Sequence, residues 1–486
     1  MLSFTQEGTS DFLVQEDVVD YGWGSRRLSL EDLSASSGTS RSIQQVEEGW
    51  WGEAQLELGS GGLAAAYRRP GERPLESGSQ VSAVGTLHAA WGPLFLSFRP
   101  EYLISLSDKG NQKVPDGDAR QEWLSNDKEQ GQHLARIQPV WRGTAGVAGL
   151  GHVLVFSNED FQWGDGIFGG LLFARRWRGF PHVAVIPQRA WRLDEVIGIP
   201  SHVSYEAVYG GLTADRVKGD NPTRVLAFRG ALRFWDTTFS GNVSVQHGGP
   251  GQHTPGITKM FQFETGRENR DEETNRIISF GIRQSIGGQF ALSIEYGLDD
   301  WNATYKSSGN LPDLGQLGYL NPQSAAWIIT ADWLAVAGDE DWRVAAEWFR
   351  SEGYYYAHGR FVAWSDHEAV ISHPDGGNAN SVRFMLQHLL EDGGRLDVLG
   401  TWRRLGWRNG HSPGNTSWSG RNGQPGTTTV AEREWDMIQI ALRRSSPIRY
   451  GELVGDIGIE LHDNYRFDAG RNRLGGWLTT GFRTRF

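Results

Sequence analysis

Apolar and polar residues alternate with a period of two along most of this chain, and the polar positions often carry full charges in mid-segment. Phe290, Leu292, Ile294 and Tyr296 interleave with Gln289, Ala291, Ser293 and Glu295. Trp342, Val344, Ala346 and Trp348 interleave with Arg343, Ala345, Glu347 and Phe349, and Ile457, Ile459 and Leu461 with Asp456, Gly458, Glu460 and His462. The pattern recurs at Phe239, Gly241, Val243 and Val245, and over residues 226–234, 278–283, 327–333 and 396–402. Successive side chains of a strand point to opposite faces, so each segment has one apolar and one polar face.

Which closed form those strands take follows from what sits on the faces. The polar face holds Arg229, Arg233, Arg283, Glu295, Arg343 and Glu347, which suit either solvent or a wet lumen. The apolar face carries aromatics at its ends: Trp327 with Trp333, and Trp342 with Trp348. Such pairs lie about 20 Å apart along a strand, close to the ~25 Å separation of the aromatic girdles of a membrane barrel. Only 38% of the residues are hydrophobic, while 12% are aromatic and 64 are Gly. That is too little aliphatic content for a large soluble core, and it fits a barrel apolar outside and polar inside. No 40-residue repeat of the propeller kind recurs. Long polar stretches at 107–136, 302–323, 354–380 and 403–428 alternate with short turns, as external loops and periplasmic turns do. At ~10 residues per strand the chain fits roughly 16 to 18 strands. The expected fold is therefore an all-β, transmembrane antiparallel barrel of roughly 16 to 18 strands with long extracellular loops, over residues 54–486. Its last strand alternates Leu478, Thr480, Phe482, Thr484 and Phe486 with Thr479, Gly481, Arg483 and Arg485. An aromatic end on such a strand is similar to the assembly signal of outer-membrane barrels, and points to the assembly machinery as a partner.

Residues 1–53 do not alternate. They are expected to form an irregular segment at the barrel mouth, as a plug or on the periplasmic side, with short helices at 29–33 and 42–48. No run reaches the ~20 apolar residues of a spanning helix, and no signal peptide is visible; if the protein is exported this is a mature chain, and the barrel reading places it in the outer membrane of a Gram-negative-type bacterium. There is no Cys, which removes disulfides, thiolate metal sites and a Cys nucleophile. The net charge of −11 argues against broad nucleic-acid binding. Among 47 basic residues six are Lys and the rest Arg, and Arg pairs with carboxylates and stacks on rings.

Chemistry-bearing motifs are few. Gly410-His411-Ser412-Pro413-Gly414 has the spacing of a hydrolase elbow, but Pro413 lacks the N–H the oxyanion hole needs, and no strand–helix context surrounds it. Gly59 to Ala64 fits a dinucleotide fingerprint without a following helix and reads as a turn. His358, His367 and His373 lack metal-ligand spacing, and Asp116-Gly117-Asp118 lacks the rest of a calcium loop. No catalytic residue, metal site or cofactor is therefore expected, and the chain is not expected to be an enzyme. The dense stretch is residues 157–182, SNEDFQWGDGIFGGLLFARRWRGFPH. Its candidate polysaccharide-binding residues are Asn158, Glu159, Trp163, Asp165, Arg175, Arg176, Trp177 and Arg178. Indole faces stack on sugar rings, and Arg, Asn and Asp bond hydroxyls; the same residues also serve as girdle aromatics and lumen ion pairs, and the sequence leaves both open.

This stretch resembles the Wzi family of outer-membrane capsule-assembly proteins at Ser157-Asn158, Trp163-Gly164-Asp165-Gly166 and Gly179-Phe180-Pro181-His182. It departs from the family at Ala174-Arg175-Arg176-Trp177. Phe98-Arg99-Pro100-Glu101, Asn275 ahead of Ile278 to Arg283, Glu295-Tyr296-Gly297 and, weakly, Tyr356-Ala357-His358-Gly359 and Gly377-Asn378-Ala379 extend the resemblance over roughly residues 90–400. The N-terminal part departs from the family's helical region. The resemblance implies a barrel of about eighteen strands that binds a capsular or exo-polysaccharide at the surface without covalent chemistry. Outer-membrane lipid is the expected surrounding. A polysaccharide export channel and a general diffusion porin are the alternatives.

Overall fold

The computed structural model describes residues 49–61, 78–105, 137–159, 161–174, 179–188, 190–212, 223–248, 274–287, 289–299, 325–336, 339, 341–352, 355, 365–366, 369–370, 372–406, 434–464, 470 and 472–485. The wall begins with β1 (Gly49–Gly61), β2 (Gly78–Trp91), β3 (Leu94–Ser105), β4 (Ile137–Gly149) and β5 (His152–Ser157). β6 (His182–Pro187) and β7 (Trp191–Arg192) follow, then a one-turn helix α1 (Asp194–Ile197), β8 (Ser201–Leu212), β9 (Thr223–Phe234) and β10 (Thr237–His247). The second half holds β11 (Thr274–Ile286), β12 (Phe290–Asp299), β13 (Ala325–Leu334), β14 (Trp342–Ser351), β17 (Ala379–Leu389), β18 (Arg395–Leu405), β19 (Trp435–Ile448), β20 (Gly451–Asp463) and β21 (Arg473–Arg485). β15 (Ser365–Asp366) and β16 (Ala369–Val370) form a separate ribbon.

Each wall strand pairs antiparallel with its neighbour, and β21 pairs with β1 from Glu53↔Arg485 to Ser60↔Leu478, which closes the sheet. The sheet has 19 segments. β6 and β7 both pair with β8, so they are one interrupted strand and the barrel has 18. The register steps from Val185↔Ala207 to Trp191↔Val203 there, six positions against four, a bulge that bends the wall. The antiparallel closure is the one expected from the alternation, and 18 strands is the top of the range that chain length allows and the number that the resemblance implies. β1 starts at Gly49, ahead of the expected start at residue 54. Gly59 and Gly61 lie inside β1 and not in a turn, because the ladders to β2 and β21 both run through this stretch. The expected helices at 29–33 and 42–48, the Gly410–Gly414 motif, Asp116–Asp118 and Phe486 lie outside the described residues.

The barrel is apolar outside and charged inside. Leu292, Ile294, Phe280, Ile282, Ile438, Ile440, Ile457 and Ile459 are exposed on the wall, whereas Arg229, Arg283, Glu295, Arg343, Glu347, Arg383 and Asp456 are buried. A one-residue slip of any strand would turn these charges to lipid, at roughly 2–4 kcal/mol for each basic residue at the midplane. The outward aromatics form two belts. Trp91, Trp235, Trp333, Trp342 and Tyr450 lie near the short turns. Tyr102 with Trp141 (ring centroids 5.7 Å apart) and Tyr296 with Trp327 (4.2 Å) lie near the long connections. No helix among the described residues is long and apolar enough to cross a membrane.

Lateral registers line up the inner charges in rows. Arg343↔Gln387↔Asp397↔Arg443↔Asp456 run across β14 to β20. Arg343 forks onto Asp332 (2.9 and 2.8 Å) and reaches Gln387 (3.1 Å), Gln387 reaches Asp397 (3.2 Å), and Arg443 pairs with Asp456 (3.0 Å). Above this row Ala345, Met385, Leu399, Ala441 and Trp477 make an apolar seat.

Candidate functional site: the inner loop

The β5–β6 connection, residues 158–181, turns into the lumen instead of standing above it. Asn158 makes the departure: its Oδ1 accepts from Gly143 N–H (2.7 Å) and its Nδ2 donates to the Trp141 carbonyl (2.8 Å), occupying the β4 edge that β5 vacates. The Glu159 N–H donates to Ser157 Oγ (3.0 Å). From here the loop packs an aromatic knot. Phe161 meets Phe173 (4.7 Å), Trp163 meets Phe173 edge-on (5.1 Å), and Phe180 and His182 close the set. A bridge joins Trp163 to Phe173. The knot needs its glycines: a Cβ on Gly170 would lie 1.9 Å from the Trp163 carbonyl oxygen, and one on Gly166 would lie 1.7 Å from the Gly169 oxygen. The Trp-Gly-Asp-Gly-x-x-Gly-Gly pattern is therefore what lets the chain fold back on itself.

Polar groups then tie the knot to the wall. Trp163 is fully buried, and its Nε1–H donates to Glu206 Oε2 of β8 (2.8 Å). The Asp165 carbonyl accepts from the hydroxyls of Ser293 (3.2 Å) and Thr330 (3.4 Å) on β12 and β13. Phe168 N–H donates to Glu347 Oε2 (2.9 Å), and the Phe168 ring drops onto the apolar seat with Arg383 5.7 Å from its centre. The loop thus reaches from β8 round to β21.

Residues 372–378, ahead of β17, brace it. His373 Nε2–H donates to Glu347 Oε1 (3.0 Å) and its Nδ1 accepts from Asp375 N–H (3.2 Å), which fits the neutral ring. Burial holds the His373 pKa below the ordinary 6.5, against the pull of Glu347 and Asp375. Asp375 accepts from Arg383 (2.7 Å), Arg403 (3.3 Å) and Ser381 (2.5 Å). Burial opposes its ionisation, but Arg383, His373 and Arg403 outweigh that and hold the carboxyl down at about 2.

Asp165 itself differs. It is buried with no hydrogen-bond partner on either carboxylate oxygen. Burial raises its pKa above the ordinary 3.8, against the neighbouring Arg283 and Arg229.

The candidate residues read from the sequence therefore separate. Asn158, Glu159, Trp163 and Asp165 belong to one inward loop. Trp163 is neither a girdle residue nor an open platform for a sugar ring, because its indole is packed between Phe161 and Phe173. Arg175, Arg176, Trp177 and Arg178 lie outside the described residues. Glu206, His373, Asp375, Arg383 and Arg403 are not among those candidates; Glu206 meets Trp163, Arg383 meets Phe168, His373 packs by Gly169, and Asp375 and Arg403 stand behind them. Alternation did mark Arg229, Arg283, Glu295 and Glu347 as polar-face charges. No group of His, Asp and Glu arranged to hold a metal occurs among the described residues.

No protein-family model matches the sequence, and no curated protein matches it. Solved structures do resemble the fold. One is Wzi of Escherichia coli, described as an outer-membrane protein involved in group 1 capsule assembly and a carbohydrate-binding β-barrel. It superposes with a TM-score of 0.58 at 12% identity, covering 88% of this chain and 83% of that one. OprD of Pseudomonas aeruginosa superposes at 0.44 and 8% identity, covering 91% and 97%. The chain has the fold of outer-membrane β-barrels.

Proposed function

We propose that this chain is an outer-membrane β-barrel of a Gram-negative-type bacterium that binds or guides a surface capsular or exo-polysaccharide, without covalent chemistry. The observation that carries the reading is the inner loop. Residues 161–174 are packed into the lumen and held by Glu206, Ser293, Thr330 and Glu347, an arrangement suited to a closed, ligand-presenting barrel more than to an open conduit. The resemblance at residues 157–166 and 179–182 adds to it, and so does the fold shared with a barrel described as carbohydrate-binding. In this reading Arg175, Arg176, Trp177 and Arg178 are the loop's ligand-facing residues, outer-membrane lipid covers the apolar wall, and the β21 strand engages the assembly machinery.

A second reading, a solute channel with a gated lumen, has one observation in its favour. Inner side chains of β1 to β3, such as Gln55, Glu57, Ser82, Thr86, His88 and Arg99, are only half-buried, while those of β9 to β20 are mostly buried. Deletion of the gene separates the readings. Loss of polymer from the cell surface, with polymer still secreted, supports binding. Unchanged surface polymer together with a defect in small-solute uptake replaces it with the channel, and polymer trapped inside the cell replaces it with export.

A further inference from the structure

The inner wall is not uniform. On β13 to β20 every charged side chain of the Arg343–Asp456 row has at least one partner. Along β10 the opposite holds. Ser240, Asn242, Ser244 and Gln246 share the lumen-facing side of that strand, spaced over about 20 Å. All four are buried, Ser244 and Gln246 completely. Ser240 Oγ, Ser244 Oγ, both ends of the Gln246 amide and Asn242 Oδ1 have no hydrogen-bond partner among the described residues. The Asn242 amide nitrogen is committed to Ser279 (2.9 Å), so its oxygen is the end left over. Asp165 comes from the inner loop to the same place: its Oδ2 and Ser240 Oγ both lie within 3.0 Å of where a Gly281 Cβ would be, and neither of its oxygens is met. Buried polar groups are almost always satisfied, and a row of orphans calls for a partner from outside the chain.

We propose that this β10 strip, with Asp165 opposite, is a binding track for an uncharged, hydroxyl-rich chain, a neutral saccharide segment. The inference rests on the polysaccharide reading above and names a site and a ligand character for it. The chemistry selects the class. Ser hydroxyls and the Gln246 amide offer donors and acceptors, Asn242 Oδ1 only accepts, and the Asp165 carboxyl accepts when ionised and also donates when protonated. A hydroxyl meets both kinds. A carboxylate or sulfate brings only acceptors and faces Asp165 and Glu295; a cation faces Arg229 and Arg283, which lie close enough to act on Asp165. The row is long enough for a chain and not only for one ring. The inner loop adjoins it: Asp165 stands beside Ser240, and Leu171 packs 2.9 Å from the Cβ position of Gly297, which pairs with Ser279 beside Asn242. Occupancy and loop position are thereby coupled.

The test uses the full-length protein in detergent, with maltoheptaose and an oligogalacturonate of equal length as probes and calorimetry as the readout. Wild type binds maltoheptaose in preference to the uronate, and the variant Ser240→Ala/Ser244→Ala/Gln246→Leu weakens that binding roughly tenfold or more while keeping heat-modifiable gel mobility. Ser244→Ala alone, the mildest change, gives a smaller loss in the same direction and stands in if the triple variant does not fold. The proposal is overturned if the two probes bind equally, if neither binds, if the folded variants bind as wild type does, or if a structure with maltoheptaose shows ordered water only along β10. The polysaccharide reading fails separately: strip variants that still retain polymer on cells where the deletion does not would leave that reading intact and remove the track.

Discussion

Trp163 Nε1 donates to Glu206 Oε2 at 2.8 Å, joining the centre of the inner loop to the β8 wall inside the barrel. A hydrogen bond to a charged group contributes about 1.5–3 kcal/mol. Trp163→Phe keeps the aromatic packing and removes the donor. Loop docking is expected to weaken by that amount, read in planar bilayers as roughly a ten- to hundredfold rise in the ratio of open to closed time. An unchanged record would mean that packing alone holds the loop.

Asp165 gives docking a pH dependence of defined sign. Burial raises its folded-state pKa above 3.8, so the docked loop favours the protonated acid. Its contribution is full below the ordinary carboxylate pKa and is lost as pH rises through the raised value. Openings contributed by this residue increase with pH, and Asp165→Asn flattens that component. Conductance across pH 4 to 8, in ~100 mM salt, checks both.

The His373 brace has the opposite sign. Its pKa is depressed from 6.5, so the neutral ring's contribution is full above the ordinary value and is lost as pH falls through the lowered one. In an Asp165→Asn background, acid is expected to open the channel, and His373→Gln is expected to abolish that acid limb.

Asp375 sits between Arg383 and Arg403. Asp375→Asn leaves both cations without their buried counter-charge, at a cost of roughly 3–5 kcal/mol. A lowered transition in heat-modifiable gel mobility, together with higher basal conductance, is the expected result. The wild-type carboxyl titrates at about 2, so its contribution persists down through pH 4 and falls away only as pH drops below 3.8 through that value.

Gly170→Ala tests the knot without touching a polar contact. The added Cβ would lie 1.9 Å from the Trp163 carbonyl oxygen, so the fold-back cannot close as it stands. The wall ladders do not involve residue 170, so the variant is expected to migrate as a folded barrel while conducting more than wild type.

Much of this was legible in the chain. Alternation located the wall at Phe290–Tyr296, Trp342–Trp348 and Leu478–Thr484, because a period of two with charge on one face leaves few closed forms. The belts followed from Trp327 and Trp333. What periodicity could not show is which residues meet across the lumen. Glu206 meets Trp163 and Glu347 meets Phe168 across separations of 43 and 179 residues, contacts that only the folded barrel makes. The density of Trp, Phe and Gly at 161–173 read as a ligand surface or a girdle, since an aromatic on a surface and one in a small internal core leave the same mark. The decisive signal was the glycine spacing, which belongs to a chain folded on itself. Gly297, noted only as part of a short motif, makes room for Leu171 and Tyr355.

The wall is also uneven in height. β5 has six residues, about 20 Å of strand before any tilt, whereas its neighbour β4 has 13 and β20 has 13. A membrane barrel presents an apolar band of roughly 25 Å, so the bilayer has to compress against β5 to match it. The thinnest patch of lipid around the molecule therefore adjoins the point where the inner loop leaves and re-enters the wall, and hydrophobic mismatch at that patch bears directly on how firmly the loop's two ends are held.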